Sequence, residues 1–356
     1  MTTVPIRVLV VDDSLTVRKR IVEALASDPG LKVVGEGEDG KQAIELCERL
    51  RPDVVTLDMM MPVMTGVAAA EYIMAYCPTP ILIVSASTNR GELFRTYDAL
   101  AAGAIDVLDK PGAMESEEGW EERLRRTVKL VSRIKVITHP RARLAAGRRE
   151  ASVAARERSG NGAASIIGIG GSTGSPGVIV DILRRLPRDL ASPVLLVIHI
   201  NEPFGAAFAE WLDAQTPLRV RYARDGERPW GLSDARVLMA PPNRHLVLDH
   251  GVLRLSSAPE RHSCRPSVDV LFESLALEAG HDAVACLLTG MGRDGAAGLL
   301  AIRRAGGVTI AQDEATSVVF GMPREAILLG AAEQVLPIQD IGPALAAATR
   351  QSRRAP

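Results

Sequence analysis

The feature that most restricts the fold of this chain is a regular alternation in its first 110 residues. Short apolar runs, each long enough for one buried strand, alternate with longer segments whose apolar residues recur at helical spacing. The runs are Ile6 to Val11, Leu31 to Gly35, Asp53 to Leu57, Ile81 to Ser85 and Ile105 to Leu108, and the helical segments lie near residues 14–27, 38–50, 65–76 and 90–102. Strands and helices in this order predict a parallel sheet covered by helices on both faces.

Polar residues stand where these predicted strands end. They are Asp12, Asp13, Asp58, Ser85 and Lys110. Each alone is an ordinary loop residue, but the carboxyl ends of parallel strands meet at one edge of a sheet, so together they indicate a site. Three converging carboxylates need a cation, and their hard oxygens suit Mg²⁺. A carboxylate can attack a phosphoryl group whose oxygens are neutralised by Mg²⁺ and an ammonium group, while a hydroxyl donates a hydrogen bond.

A glycine-rich turn opens the second half of the chain at residues 166–177, IIGIGGSTGSPG. The pattern predicts a strand, a sharp turn with Ser172 at its apex, and a helix. Three interpretations are open: a nucleophile in a G-x-S-x-G turn, a pyrophosphate-binding turn, or a plain tight turn. The next predicted strand, Pro193 to Ile200, contains His199 near its end, where a dinucleotide site would have an acidic residue. This histidine favours the nucleophile.

The rest of the second half also predicts an α/β domain with a mostly parallel sheet. Its strand Ala283 to Leu288 leads to Asp294, which is either a plain helix N-cap or the residue that orients His199. Because Ser172, His199 and Asp294 all follow strands of one sheet, we expect a nucleophile, a base and an orienting carboxylate. The main-chain N–H of Thr173 and an N–H near Met291 are the candidate donors to the oxyanion.

Length and composition set further limits. The 356 residues suffice for two domains, and the predicted division is 1–125, a linker at 126–163 and 164–350. A formal net charge of -1 and 3% aromatic residues argue against nucleic acid as a partner. The sequence shows neither a signal peptide nor a membrane-spanning run, so the expectations are a cytoplasmic protein and no membrane insertion. The scattered cysteines, Cys47, Cys77, Cys264 and Cys286, are typical of reduced thiols.

Four segments of the first half, VLVVDDS, DVVTLDMMMPVMTG, ILIVSAS and GAIDVLDKP, resemble the receiver domain of two-component response regulators. The resemblance implies a (βα)5 flavodoxin-like fold and a phosphoryl group transferred from a histidine kinase to Asp58. It also implies Mg²⁺ held by Asp12, Asp13, Asp58 and the Met60 carbonyl, and phosphoryl contacts from Ser85 and Lys110. Where many receivers carry an aromatic switch before the Lys-Pro pair, this chain has Val107.

The second half resembles the catalytic domain of the chemotaxis protein-glutamate methylesterase family (CheB). The segments that carry the resemblance are GIGGSTG, CRPSVDVLFESLA, LLTGMGRDGAAGLLAIRRAGG and AQDEATSVVFGMPREAI. It implies a doubly wound α/β fold with a Ser172, His199, Asp294 triad and no cofactor for ester hydrolysis. The implied substrates are methyl-accepting chemoreceptors, whose glutamate methyl esters are hydrolysed and whose glutamines are often deamidated; a chemotaxis histidine kinase is the implied phosphodonor.

Two positions depart from the family pattern. Ile198 replaces a glutamine before the histidine, and Cys264 replaces a histidine before Arg-Pro-Ser. Both lie near the expected pocket, and we expect Cys264 to be a packed, inert cysteine.

The leading hypothesis is a serine esterase activated by phosphorylation. A receiver-coupled scaffold of a chemosensory array that lost turnover and a nucleotide-dependent output are the alternatives, opposed by the intact triad and by His199 respectively.

Overall fold

A computed structural model describes residues 4–86, 89–110, 117–134, 136, 165–200 and 203–351. The chain divides into two compact units between residues 148 and 149, and each is described by itself. Most of the predicted linker, residues 137–163, lies outside the described residues. Within the described ranges, no helix combines the length and apolar character needed to cross a membrane.

The N-terminal unit is a five-stranded parallel sheet with strand order β2-β1-β3-β4-β5. Its elements are β1 (Ile6–Val11), α1 (Leu15–Ala26), β2 (Leu31–Gly37), α2 (Gly40–Leu50), β3 (Val54–Leu57), α3 (Gly66–Tyr76), β4 (Ile81–Ser85), α4 (Arg90–Ala102), β5 (Asp106–Asp109) and α5 (Glu117–Val131). The predicted βα alternation and fold class are confirmed. The helix α5 extends to Val131, beyond residue 125, where the first domain was predicted to end.

Local sequence explains where the helices of this unit begin. The residues before α1 to α4 are Ser14, Asp39, Thr65 and Asn89, and each side chain accepts a hydrogen bond from a main-chain N–H in the first turn. The strands β1, β3 and β4 are largely buried because helices cover both faces of the sheet. Their continuous apolar sequences follow from that burial.

The C-terminal unit has a seven-stranded, wholly parallel sheet with order β14-β13-β12-β6-β7-β9-β8 and a separate antiparallel hairpin of β10 and β11. Its strands are β6 (Ile166–Gly171), β7 (Val194–Ile198), β8 (Val220–Tyr222), β9 (Val237–Met239), β10 (His245–Asp249), β11 (Val252–Ser256), β12 (Ala283–Leu287), β13 (Val308–Gln312) and β14 (Gln334–Leu336). Its helices are α6 (Ser175–Arg185), α7 (Phe208–Gln215), α8 (Val268–Glu278), α9 (Ala296–Arg304), α10 (Met322–Leu328) and α11 (Ile338–Gln351).

The chain order of this sheet reverses at its central strand. From β6 the chain proceeds to β7 on one side, and it returns later to β12 on the other side. Ligands of open parallel sheets bind where strand order reverses, outside the carboxyl ends of the strands. The three strands that precede Ser172, His199 and Asp294 are therefore neighbours at the position where a site is expected.

Two glycines of β6 bring a helix close to this part of the sheet. A Cβ atom added at Gly170 would lie 2.2 Å from Val268 Cγ1, and one added at Gly168 would lie 2.7 Å from Leu275 Cδ1. Both contacts are with α8, so these glycines permit close packing between the helix and the sheet. Close packing of a helix differs from the pyrophosphate-binding role, which was one of the interpretations that the sequence left open for this turn.

The interpretation of Asp294 as a plain N-cap of the following helix is wrong. The helix α9 begins at Ala296, its N-cap is Gly295, and no side chain caps it. The Asp294 carboxylate instead accepts hydrogen bonds from the main-chain N–H groups of Val268 (2.7 Å) and Asp269 (3.1 Å) at the start of α8. A helix N-terminus attracts a carboxylate whether or not that carboxylate belongs to the same helix.

Candidate active site and candidate phosphorylation site

Ser172 lies directly after β6, in the turn that leads to α6. Its main-chain N–H donates to the Thr289 carbonyl at 3.0 Å, and its own carbonyl accepts from the main-chain N–H of Ser175 at 2.9 Å. Gly174 has φ +77°, in the left-handed region that side chains disfavour, and a Cβ there would meet Val318. The predicted strand, turn and helix are thus present, with the half-buried Ser172 at the carboxyl end of the central strand.

His199 follows the neighbouring strand and contacts Asp294. Its main-chain N–H donates to the Gly171 carbonyl at 3.2 Å, which places it beside the residue that precedes Ser172. Its side-chain Nε2 lies 2.9 Å from Asp294 Oδ2. This bond assigns the proton of a neutral imidazole to Nε2, so Nδ1 carries the lone pair that can act as a base.

Asp294 is buried and accepts more than one hydrogen bond on each oxygen. Besides His199 and the two N–H groups at the start of α8, the hydroxyl of Ser267 donates to Oδ1 at 2.7 Å. Burial opposes ionisation, but the hydrogen bonds from His199, Ser267 and Val268 outweigh it and lower the pKa of Asp294. An ionised carboxylate held in this way can orient the imidazole and stabilise its cationic form.

The other ring nitrogen of His199 faces Cys264. Cys264 Sγ lies 3.6 Å from His199 Nδ1 and 3.4 Å from the carbonyl oxygen of His262. Burial alone would lower the pKa of His199, but its hydrogen bonds to Asp294 and Cys264 raise it to about 9. Cys264 is not fully packed as expected, since its thiol is partly exposed and contacts the candidate base. The expected inertness of this thiol stays a prediction.

The structure does not join Ser172 to His199 by a hydrogen bond, although both residues are described. Such bonds are often long in proteins without substrate and tighten when substrate binds. The main-chain N–H groups of Thr173 and Met291 donate to no other residue in the described part of the chain. Both are therefore free to donate to a developing oxyanion.

The residues behind Ser172 form a tightly packed support. The Gln312 side chain accepts from the Thr289 main-chain N–H at 2.8 Å, and Thr289 accepts from Ser172. A Cβ atom added at Gly290 would lie 2.3 Å from Met322 Sδ and 2.7 Å from Ser172 Cβ. Position 290 therefore has no room for a side chain, and Gln312 fixes the segment that contacts the serine.

A cavity of about 220 Å³ adjoins the candidate base. His199 and Cys264 form part of its wall, together with the polar side chains of Asn243, Glu260 and Arg265. Arg265 is positioned by Asn243, whose Oδ1 accepts from Arg265 Nε at 2.7 Å. A small polar molecule in this cavity would contact His199 and Cys264 together.

In the N-terminal unit, the predicted acidic site comes together at the edge of the sheet. One carboxylate oxygen from each of Asp12, Asp13 and Asp58 lies within 4.8 Å of the others. Lys110 Nζ lies 2.9 Å from Asp12 Oδ2 and 3.1 Å from Asp58 Oδ2. The buried Ser85 hydroxyl at the end of β4 has no hydrogen-bond partner among the described residues, so it is free to contact a phosphoryl oxygen.

The charges of this site favour a divalent cation. Burial raises the pKa of Asp58 to about 6, with Asp12 adding repulsion and Lys110 opposing both. Carboxylate oxygens that are close together and incompletely neutralised are the donor set that Mg²⁺ binds. The residues therefore fit the metal that the receiver resemblance implies. The carbonyl role of Met60 stays a prediction, while Val107 lies half-buried in β5.

Sequence reasoning missed three residues that support the candidate triad. Ser267 is the N-cap of α8, and its hydroxyl also donates to Asp294. Its main-chain N–H donates to Nδ1 of His245, a fully buried histidine, at 3.1 Å. Gln312 was noted only as part of a family pattern. Only the Ser267 N-cap has a local signal, because the other contacts join residues that are distant in sequence.

Comparisons with known proteins match both units. A family model described as CheB methylesterase matches residues 167–345, and one described as a response regulator receiver domain matches residues 8–117. The protein-glutamate methylesterase/protein-glutamine glutaminase 2 of Anaeromyxobacter dehalogenans is 44% identical, over 97% of this chain and 98% of that protein. The protein-glutamate methylesterase/protein-glutamine glutaminase of Nitrosospira multiformis is 41% identical, over 96% of each. The Thermotoga maritima CheB methylesterase catalytic domain, 34% identical, covers 52% of this chain and 98% of its own, with a TM-score of 0.49.

Proposed function

Because the chain belongs to the family of CheB methylesterases with a response-regulator receiver domain, we propose that it hydrolyses glutamate γ-methyl esters on methyl-accepting chemotaxis receptors and releases methanol. The observation that carries this proposal is the contact between His199 and Asp294, which follow the two strands on either side of β6, the strand that ends just before Ser172. The names of the two relatives given above include protein-glutamate methylesterase. This chain matches nearly the whole length of each of them.

In the proposed mechanism, Ser172 is the nucleophile and His199 the base. Asp294 holds Nε2–H of His199, so Nδ1 accepts the proton as Ser172 Oγ attacks the ester carbonyl. The resulting imidazolium returns this proton to the leaving methoxide, which departs as methanol. Water then attacks the acyl-enzyme with the same histidine as base, which releases the glutamate side chain and frees Ser172.

The oxyanion of each tetrahedral intermediate is assigned to the main-chain N–H groups of Thr173 and Met291. Neither N–H has a partner among the described residues. Loss of one such donor typically costs about 3 kcal/mol of transition-state stabilisation. The positions of these main-chain donors depend on the packing around them. Gly290, which has no room for a side chain, and Gln312, which accepts from Thr289, hold the segment that precedes Met291.

The receiver is proposed to control this activity through phosphorylation of Asp58. Asp12, Asp13 and Asp58 would hold Mg²⁺, with the Met60 carbonyl as a further ligand, and a chemotaxis histidine kinase would supply the phosphoryl group. When bound, Mg²⁺ neutralises charge on the transferring phosphoryl oxygens. Lys110, which contacts Asp12 and Asp58, and the unpartnered Ser85 hydroxyl would hold the attached phosphoryl group.

Deamidation of receptor glutamines is a second candidate reaction, because the names of the relatives include a glutaminase. Attack of Ser172 on a γ-carboxamide would release ammonia through the same acyl-enzyme. Since His199 must protonate the leaving nitrogen, this reaction needs the same histidine and aspartate.

The test is methanol release from a methylated receptor fragment. The wild-type chain is compared with Ser172→Ala and Asp58→Asn, each with and without Mg²⁺ and a small phosphodonor. We expect turnover to require Ser172 and to rise with the phosphodonor only where Asp58 is present. Absence of methanol under every condition, with a folded protein and intact receptor binding, would instead support the scaffold hypothesis.

A further inference from the structure

Cys264 lies at the end of a tight turn that is fixed at several points. Arg261 and Cys264 exchange two main-chain hydrogen bonds, of 3.1 and 2.9 Å, across the two residues between them. Those residues, His262 and Ser263, have φ +52° and +59°, in the left-handed region that non-glycine residues disfavour. A guanidinium–carboxylate pair between Arg261 and Glu273 anchors the turn.

The turn places the thiol next to the imidazole of the candidate triad, on the side opposite its carboxylate. Cys264 Sγ lies 3.6 Å from Nδ1 of His199, whose Nε2 lies 2.9 Å from Asp294. Thiol, imidazole and carboxylate in this order are the arrangement that activates a cysteine. In this geometry Nδ1 of His199 is the acceptor next to the thiol, and Asp294 holds the opposite nitrogen.

Small molecules can reach this thiol. Cys264 is partly exposed and lines the cavity of about 220 Å³ that also contains Arg265. The other cysteines, Cys47, Cys77 and Cys286, are buried. Of the four cysteines, Cys264 is the one that is both partly exposed and in contact with the candidate base.

We propose that Cys264 is an oxidation site that switches the esterase off, with a hydroperoxide converting its thiolate to a sulfenic acid that occupies Nδ1 of His199. The inference rests on the proposed function, since it assigns regulation to the same histidine. In the reaction, the thiolate attacks one peroxide oxygen, the S–O bond forms and the O–O bond breaks. Sulfur loses two electrons to the peroxide, and the departing hydroxide or alkoxide takes a proton from His199.

The product blocks catalysis because its hydroxyl is a stronger hydrogen-bond donor to Nδ1 of His199 than the thiol that it replaces. Asp294 holds Nε2, and the hydroxyl of the sulfenic acid donates to Nδ1, the nitrogen that must accept the Ser172 proton. A thiol reductant converts the sulfenic acid to a mixed disulfide and then to the free thiol, which restores the base. The switch is thus reversible until further oxidation produces the sulfinic acid.

The chemical test does not depend on esterase activity. The full chain is treated with hydrogen peroxide near pH 7 and then with dimedone, and the cysteine-containing peptides are quantified by mass spectrometry. We expect dimedone adducts at Cys264 and none at buried Cys286. In Asp294→Asn and His199→Gln, both checked for folding by circular dichroism, adduct formation should be at least about tenfold slower because the thiolate loses its stabilising partners. Equal rates in wild type and both variants would overturn the proposal.

The functional test follows methanol release during the same treatment. Each protein is compared with its own starting activity, so a changed basal rate in Cys264→Ser does not affect the result. Wild type should lose activity in step with the adduct at Cys264 and recover with dithiothreitol, whereas Cys264→Ser should resist peroxide. Equal inactivation of both proteins would overturn the proposal. If no protein releases methanol, the proposed function fails, and so does the switch, while the dimedone result still decides whether Cys264 is activated.

Discussion

At the scale of single residues, the orientation of His199 decides which nitrogen can act in catalysis. Its Nε2 is bound to Asp294, and its Nδ1 faces Cys264. A substitution that removes the negative charge at position 294 but keeps its shape should therefore change the protonation of the ring without emptying the site.

Asp294→Asn should lower kcat for methanol release by about a thousandfold or more, because an amide can stabilise the wrong tautomer of His199 and no longer stabilises its cation. The measurement is steady-state methanol release with a methylated receptor fragment. Asp282→Asn, at another buried aspartate of this unit, serves as the matched control and should retain most activity. A loss of less than tenfold in folded Asp294→Asn would contradict the assigned role.

The pH dependence of kcat/KM should show the elevated pKa of His199. Because only the neutral imidazole can accept a proton, kcat/KM should rise with pH and level off above about 9. The same shift affects stability in the opposite direction. Stabilisation from the imidazolium is complete below pH 6.5, the unperturbed value, and is lost as pH rises through about 9.

This pH profile is measured with wild type and with His250→Gln, which changes an exposed histidine outside the candidate triad. Both proteins should give the same ascending limb. A rate that does not change between pH 7 and pH 10 would show that His199 is already neutral at pH 7 and would contradict a pKa of about 9.

At the scale of secondary-structure elements, the packing of α8 against β6 supports the candidate active site. The start of α8 donates main-chain hydrogen bonds to Asp294, and Gly170 allows Val268 of this helix to approach the strand. The position of Asp294 therefore depends on the contact between Gly170 and Val268, which both lie outside the candidate triad.

Gly170→Ala should lower the free energy of unfolding by about 1–3 kcal/mol and reduce kcat, because the added methyl group displaces Val268 and the start of α8. Urea unfolding and methanol release measure the two effects. In the double variant Gly170→Ala, Val268→Ala, the removed side chain makes room, so the combined loss of stability should be smaller than the sum of the single losses. Additive losses would mean that the two positions are not coupled.

The sequence predicted elements well where an apolar run has clear ends. Ile6–Val11 and Ile81–Ser85 have the bounds that were expected. The short strands Val220–Tyr222 and Gln334–Leu336 were missed because three residues carry too little periodicity. Strand ends identified Ser172, His199 and Asp294 as candidates, but the contact of Cys264 with His199 depends on tertiary packing that no local pattern contains.

At the scale of the whole molecule, each unit has its candidate chemistry at the carboxyl edge of its own parallel sheet. The N-terminal unit carries the acidic site and Lys110, and the C-terminal unit carries the serine, histidine and aspartate. Since the candidate metal ligands belong to one unit and the candidate triad to the other, metal removal should separate activation from turnover.

Chelation of Mg²⁺ should abolish the increase in methanol release caused by a phosphodonor and leave the unstimulated rate within about twofold, because carboxylates without the metal cannot support phosphoryl transfer. Methanol release and phosphorylation of Asp58 are measured before and after chelation. Asp13→Asn, a change at an exposed candidate ligand, should raise the Mg²⁺ concentration needed for phosphorylation. Phosphorylation that persists in chelator would contradict the metal site.

The pairing of β6 with β12 also determines when a newly made chain can become active. Ile166 pairs with Ala283, so the central strand gains this neighbour only after the intervening hairpin and helices have been synthesised. Contacts between residues so far apart in sequence form slowly because a long loop must close first. Ribosome-bound chains that stop before residue 294 should therefore lack esterase activity, and activity should appear only after the strand Ala283–Leu287 and Asp294 have been synthesised.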